Sequence, residues 1–207
     1  MKILTVSDTV ERKLYNVKAK EYFQGLDLIL SCGDLPLYYF EFLVSTFNVP
    51  LYYVFGNHHV SPMLTSSGDQ VSIPIGCVDI DNRVLKFQGL LIGGLEGCMR
   101  YNNGPKQYTE FEMRQKIARM TPRLWLNKFL HKRSIDILIT HAPPAGIHDK
   151  PDLCHQGFKA FLRFIETHQP RYFIHGHTHR YTLQDAWKTQ HQKTTVINTC
   201  GYRVLEL

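Results

Sequence analysis

The positions able to do chemistry in this sequence are histidines and acidic or amide residues that follow directly on apolar runs. Near the C-terminus, Arg171-Tyr172-Phe173-Ile174 leads into His175-Gly176-His177-Thr178-His179. His177 and His179 are two apart, so in extended backbone their imidazoles project to one side. Two imidazoles aimed at one point suit a metal ion. A lone His-x-His pair fits an ordinary strand surface equally well; it gains weight because other segments end alike. Asp8 follows residues 2–6, Asp34 follows 26–31, Asn57 and His58 follow 51–55, and His141 follows 135–139. Two carboxylates, an amide oxygen and three imidazoles make a mixed oxygen and nitrogen donor set. It suits Mn²⁺, Fe, Zn²⁺, Ni²⁺ or Co²⁺ and is too nitrogen-rich for a Ca²⁺ or Mg²⁺ cage. The donors outnumber the needs of one tetrahedral ion. A carboxylate shared by two ions about 3.5–4 Å apart would use them all. Such a pair binds a phosphate oxygen, generates hydroxide at neutral pH and stabilises an in-line displacement. Gly33, Gly56 and Gly176 directly precede candidate ligands, where backbone must turn sharply and approach closely.

These residues need a scaffold that brings strand ends together. Residues 2–6 read as a short strand, 11–24 as a helix ended by Gly25, and 26–31 as a strand buried on both faces. Pro36 suits the first turn of a helix over 37–47, and Pro50 precedes a strand over 51–55. Strand, helix, strand, helix, strand predicts two βαβ units and a parallel sheet. Residues 71–80 and 83–95 carry short β-like runs that suggest antiparallel or mixed strands. Thr109 with Glu112 forms a capping-box pattern opening a helix to about Met120, and Thr121-Pro122 restarts a second helix through Leu130. Residues 135–139 read as another buried strand. Residues 157–167 read as a helix with Phe158, Phe161, Leu162 and Ile165 on one face. After the strand that leads to His175, Thr182-Leu183, 194–198 and 202–207 read as closing strands. In open α/β sheets, sites form just beyond the carboxyl ends of such strands.

The bulk numbers fit this picture. The chain has 207 residues, 43% hydrophobic and 20% charged, which predicts one soluble domain over 1–207. No apolar run approaches the roughly 20 residues of a membrane span. The opening segment reaches Asp8 too soon for a signal-peptide core, so the expected location is cytoplasmic. The five cysteines are scattered without a Cys-x-x-Cys pair, which argues against a disulfide framework or a structural zinc site. A net charge of +6 permits an anionic substrate without demanding nucleic acid, because no Lys/Arg block stands out.

The ordered set resembles the calcineurin-like metallophosphoesterases, whose pattern is D-x-H, G-D, G-N-H, a lone H and G-H-x-H. Here it reads Asp8-Thr9-Val10, Gly33-Asp34, Gly56-Asn57-His58, His141 and Gly176-His177-Thr178-His179. The resemblance covers almost the whole chain and implies a four-layer α/β/β/α sandwich with mixed β-sheets and a dimetal site at one edge. It implies that Asp34 bridges two divalent ions, Mn²⁺ being the first expectation and Fe, Zn, Ni or Co the alternatives. Asp8 and His179 would serve the first ion, and Asn57, His141 and His177 the second. His58 would stand over the phosphate, stabilising its charge or protonating the leaving group. The sequence departs from the family at Val10, which cannot coordinate, so the first site is expected to be the weaker one.

The resulting expectation is a metal-dependent phosphoesterase, most simply a phosphodiesterase, acting on a small phosphoester or nucleotide-like substrate by attack of a metal-bound hydroxide. Two alternatives stand beside it. One is a metal-dependent nuclease of the same superfamily, motivated by positive charge and by His59 beside His58. The other is a catalytically weakened, metal-bound scaffold, motivated by Val10. In the loops, Arg100 is a candidate bidentate phosphate clamp, and His155 and Asp149 are candidate pocket residues. His175 reads as a structural histidine that orients its neighbours. Cys32 reads as a small buried hydrophobe rather than a nucleophile.

Overall fold

The apolar runs become parallel strands. In the computed structural model, which describes residues 1–58, 63–64, 68, 70–179 and 186–207, β1 (Lys2–Ser7), β2 (Leu28–Ser31) and β3 (Leu51–Tyr53) lie parallel and side by side. The connections carry α1 (Ala19–Tyr22) and α2 (Leu37–Phe47). Two short strands, β4 (Met63–Leu64) and β5 (Gln70–Val71), pair with each other, and β6 (Val78–Asp79) joins the sheet parallel to β3. A hairpin of β7 (Val84–Phe87) and β8 (Leu90–Leu95) begins the second sheet. There follow β9 (Cys98–Met99), β10 (Gln107–Tyr108), α3 (Glu110–His131) and β11 (Ile137–Thr140). A 3₁₀ turn (Leu153–His155), α4 (Lys159–His168), β12 (Tyr172–His175), β13 (Lys188–His191), β14 (Thr194–Asn198) and β15 (Gly201–Glu206) complete the order. The first sheet runs β15-β1-β2-β3-β6 and the second β13-β14-β12-β11-β8-β7. Both are mixed, with antiparallel pairs, among the described residues, at β15–β1, β13–β14 and β7–β8.

Three apolar layers follow from strand alternation. Leu28 and Leu30 of β2 face Ile137 and Ile139 of β11, Ile174 and Ile197 in a dry layer between the sheets. Ile29 points the other way, into a cluster with Tyr39, Phe40 and Leu43 of α2. Leu138 and Phe173 point outward on the second sheet, against Met113 and Leu124 of α3 and Phe161 and Phe164 of α4. The result is helices, sheet, sheet, helices: the four-layer α/β/β/α arrangement expected. Each buried Leu, Ile or Phe contributes about 1.5–3 kcal/mol, which holds the two sheets at a fixed separation.

Local differences have local causes. Of the helix expected over 11–24, only Ala19–Tyr22 is regular. Leu14 and Tyr15 both donate to the Glu11 carbonyl, a turn that leads into Asn16-Val17, two residues of low helix propensity. The restart expected at Thr121-Pro122 does not occur: α3 is one helix with Pro122 inside it. Proline removes the donor to the carbonyl four residues back. Both Pro122 and Ala118 are exposed, so the freed carbonyl lies on the solvent-facing side of α3. The capping box is present as expected, with the Glu112 amide donating to Thr109 Oγ1 and the Thr109 amide to the Glu112 carboxylate. The strand expected at Thr182-Leu183 lies outside the described residues, as does His59. Among the described residues no helix is long and apolar enough to cross a membrane.

The carboxyl edges of the two sheets are tied together. Gly97 after β8 donates to the Phe55 carbonyl after β3, and the ring of His141 after β11 donates to the Cys32 carbonyl after β2. The candidate ligands sit along this seam.

Candidate metal centre

Three of the expected ligands occupy backbone that side chains rarely adopt. Asp8, Asp34 and His177 have φ of 62°, 55° and 64°, left-handed conformations costing of order 1 kcal/mol or more each outside glycine. Each lies directly beyond a strand end, where the chain reverses to aim a side chain back across the seam. The neighbouring glycines show why nothing larger fits. A Cβ on Gly33 would sit 2.5 Å from the Gly56 amide nitrogen. One on Gly56 would sit 1.9 Å from Asp34 Oδ1, and one on Gly176 would sit 2.5 Å from Asp8 Oδ2.

The side chains converge. Asp34, His141 and His177 each offer a ligand atom, and these atoms lie within 4.8 Å of one another. His141 Nδ1 donates to the Cys32 carbonyl at 2.7 Å, which turns Nε2 toward Asp34 Oδ2 at 3.1 Å and Asn57 Oδ1 at 3.0 Å. Asn57 Nδ2 in turn donates to the Tyr101 hydroxyl at 3.1 Å, so the amide presents its oxygen to the site. The His177 amide donates to both Asp8 oxygens at 3.1 and 3.0 Å. His177 Nε2 donates to the Cys154 carbonyl, leaving Nδ1 with the free lone pair. Backbone carbonyls on the far nitrogen of two imidazoles are the usual support of metal-binding histidines. One carboxylate, one amide oxygen and two imidazoles, pre-oriented in this way, fit a divalent transition ion.

Charges at the seam are strongly coupled. Burial opposes ionisation of both Asp34 and His141, but each stabilises the other. Asp34 is held down to about 2 by the facing imidazole and the His58 amide. His141 is pushed up to about 9 by Asp34 and Asp8. Without a metal, the imidazolium of His141 therefore supplies the positive charge that the carboxylates require. Burial, reinforced by the proximity of His141, pushes His177 down to about 3, so its imidazole stays neutral and able to coordinate. Burial raises Asp8.

The other expected residues divide. His58 is near the site but solvated: its side chain is 76% exposed, with Nε2 3.7 Å from Asp34 Oδ2. His179 and Asp8 line the same cavity of about 450 Å³ as Asp34, Asn57, His58 and His177. His155 also lines it, its ring 5.2 Å from that of His177. Asp149 accepts from the Gly157 amide at 3.3 Å and lines a neighbouring pocket with His148 and His179. Arg100 is not brought to the cavity. Its guanidinium is held by both oxygens of Glu112 at 3.0 and 2.9 Å, at the start of α3. Val10 packs against the apolar cluster beneath the first sheet, so nothing in this position supplements Asp8 and His179. His175 is buried and links Gly176 to His148, which reaches Thr189, consistent with an orienting role. Cys32 is buried and its thiol is pushed well up by burial.

Sequence reasoning missed Tyr101 and Cys154. Tyr101 orients Asn57 through its hydroxyl, and Cys154 fixes His177 through its backbone carbonyl. No motif carries the second contact, because a carbonyl belongs to every residue.

Comparison with known proteins agrees with this geometry. The family model described as calcineurin-like phosphoesterase matches residues 1–181. Comparison with curated proteins finds no match. Among solved structures, TT1561 of Thermus thermophilus aligns over 97% of this chain and 89% of its own, at 16% identity and TM-score 0.59. GAP50, described as the anchor in the inner membrane complex of Plasmodium, aligns over 97% and 71%, at 14% identity and TM-score 0.51. At these identities the likeness is one of fold.

Proposed function

We propose that this chain, which belongs to the calcineurin-like phosphoesterase family, hydrolyses a phosphodiester with divalent metal ions as cofactor. The observation that carries the reading is the convergence of Asp34, Asn57, His141 and His177 at the seam. Bound there, divalent ions supply Lewis-acid polarisation of a phosphoryl oxygen and acidify water. Asp34, proposed to serve both ions, remains ionised across the physiological range. Tyr101 and the Cys32 and Cys154 carbonyls keep Asn57, His141 and His177 in position, so little reorganisation accompanies metal entry. His58, exposed at the cavity wall, can donate a proton to a leaving alkoxide or hydrogen-bond a phosphoryl oxygen.

No Lys or Arg lies among the described residues lining the cavity, so the divalent ions would supply the positive charge that meets the ester. A diester is proposed as the substrate, and relative rates on a diester and a monoester decide between them. The first ion, served by Asp8, Asp34 and His179 without a histidine at position 10, is proposed as the weaker of two, and Mn²⁺ as the activating metal.

Purified protein with Mn²⁺ is expected to cleave bis-p-nitrophenyl phosphate faster than p-nitrophenyl phosphate, and chelator is expected to stop it. Asn57→Ala and His58→Ala should each lose at least tenfold in kcat/KM. Turnover that neither chelation nor these substitutions affects would overturn the reading. So would one bound metal at saturation with no turnover, the outcome for a scaffold. Salt-sensitive binding and cutting of DNA or RNA would transfer it to the nuclease branch.

A further inference from the structure

The turn that holds His177 carries a donor set of its own. Asp152, Cys154 and His155 lie within four consecutive residues, and the 3₁₀ geometry folds their side chains onto one point. Asp152 Oδ1 accepts from Cys154 Sγ at 2.8 Å and from His155 Nδ1 at 2.7 Å, and Sγ lies 3.3 Å from Nδ1. An oxygen, a sulfur and a nitrogen thus meet with all ligand atoms within 4.8 Å. None of the three belongs to the family ligand pattern. The group also has a place in the molecule: Cys154 and His155 line the same cavity as Asp34 and His177. The chain of Cys154 and the ring of His155 both contact His177.

We propose that Asp152, Cys154 and His155 form a separate cation site at the cavity rim, selective for a thiophilic divalent ion such as Zn²⁺. The donor chemistry sets the selectivity. The seam offers only oxygen and nitrogen, whereas a thiolate favours a softer ion, so one chain would sort two kinds of metal. Tetrahedral Zn²⁺ with bonds of about 2.0–2.3 Å holds its ligands roughly 3.5 Å apart. The donors now stand closer because hydrogens bridge them. Entry of the ion removes those hydrogens: the thiol proton leaves to solvent, the Cys154 sulfur bonds the metal, and the His155 proton moves to Nε2 as Nδ1 coordinates. The charge balances, since one proton is released as the dication arrives. The Asp152 side chain is 48% exposed, so it has room to open the cluster. Three protein ligands leave a fourth position for water or a ligand, the pattern of catalytic rather than structural zinc. This site stands on its own donor geometry and does not require the cavity to hydrolyse esters.

Cobalt tests it with a readout that only sulfur gives. Metal-free, full-length protein titrated with Co²⁺ should develop a near-ultraviolet thiolate-to-cobalt charge-transfer band, reversed by Zn²⁺. Cys154→Ser should abolish the band, and Asp152→Asn should weaken Co²⁺ binding about tenfold or more. Cys200→Ser and Asn57→Ala should keep it, separating this site from the seam. Because Cys154→Ser retains the backbone carbonyl, circular dichroism should match the wild type. No band at saturating Co²⁺, a band that survives Cys154→Ser, or one lost with Asn57→Ala would overturn the assignment.

Discussion

Gly56→Ala tests whether backbone closeness sets the centre. The added Cβ would lie 1.9 Å from Asp34 Oδ1, 2.4 Å from Asp34 Cγ and 2.7 Å from His141 Cε1, where ordinary contact begins at 3.4 Å. The carboxylate must therefore recede by about 1.5 Å. It cannot do so freely, because Oδ1 accepts the His58 amide at 3.0 Å and Oδ2 faces His141 Nε2 at 3.1 Å. His141 has no room either, being fully buried with Nδ1 tied to the Cys32 carbonyl. Overpacking a filled site costs about 1–3 kcal/mol, and losing a charge-assisted hydrogen bond about 1.5–3. The sum is about 2.5–6 kcal/mol, which at about 2–4 °C per kcal/mol for a chain of this size lowers Tm by about 5–24 °C. Gly56 is not at positive φ, so contact alone carries the cost. Differential scanning calorimetry with and without Mn²⁺ measures both consequences. The wild type should gain stability with Mn²⁺ by mass action, and the variant should gain much less because Asp34 is displaced. If the variant melts within about 2 °C of the wild type and keeps its metal-induced rise, the packing argument is wrong.

Other predictions follow from the same contacts. In metal-free protein, the raised His141 pKa gives stabilisation that is complete below 6.5 and lost as pH rises through about 9. The lowered Asp34 pKa gives stabilisation complete above 3.8 and lost as pH falls through about 2. Denaturant titrations of chelated protein should therefore show stability declining from pH 7 to 10, a slope that His141→Gln flattens. Metal entry must expel that His141 proton, so calorimetric titrations in buffers of different ionisation enthalpy should register proton release at pH 7. Tyr101→Phe removes the acceptor of Asn57 Nδ2 and should weaken Mn²⁺ binding by about 10–100-fold with little change in Tm. Lys116 is buried and bonded to Asp81 at 2.7 Å, with Glu96 at 3.7 Å. Lys116→Ala leaves Asp81 without its cation, while Glu96 keeps Lys106, and should cost about 3–5 kcal/mol, seen as a lower urea midpoint.

Much of the centre was legible because its ligands are strand-end residues with fixed neighbours. Gly33-Asp34, Gly56-Asn57 and Gly176-His177 each combine a small residue with a donor just past an apolar run, a pattern carried by residue type and order alone. Arg100 misled because an arginine in a polar loop looks alike whether it faces a ligand or a carboxylate. Glu112, twelve residues on, decides the matter only once α3 is in place. The expected helix break at Pro122 failed for a related reason. A proline signals a missing donor, but whether the freed carbonyl is solvated depends on which face of the helix it occupies. Val10 shows the converse: the residue type excludes coordination at once, yet only packing shows it turned into the apolar cluster.

By itself the sequence determined the donor types, their order and the alternation of buried strands and helices. Those properties reside in side-chain chemistry and in the periods of local backbone. Tertiary structure alone decided which donors meet, because His141 and Cys32, and Asn57 and Tyr101, are joined across the two sheets, and His177 meets Cys154 from a separate connection of the second sheet. Such contacts depend on sheet separation and on left-handed turns at Asp8, Asp34 and His177. These are global distances and strained angles that the packed layers impose, and no short stretch of chain would adopt them alone.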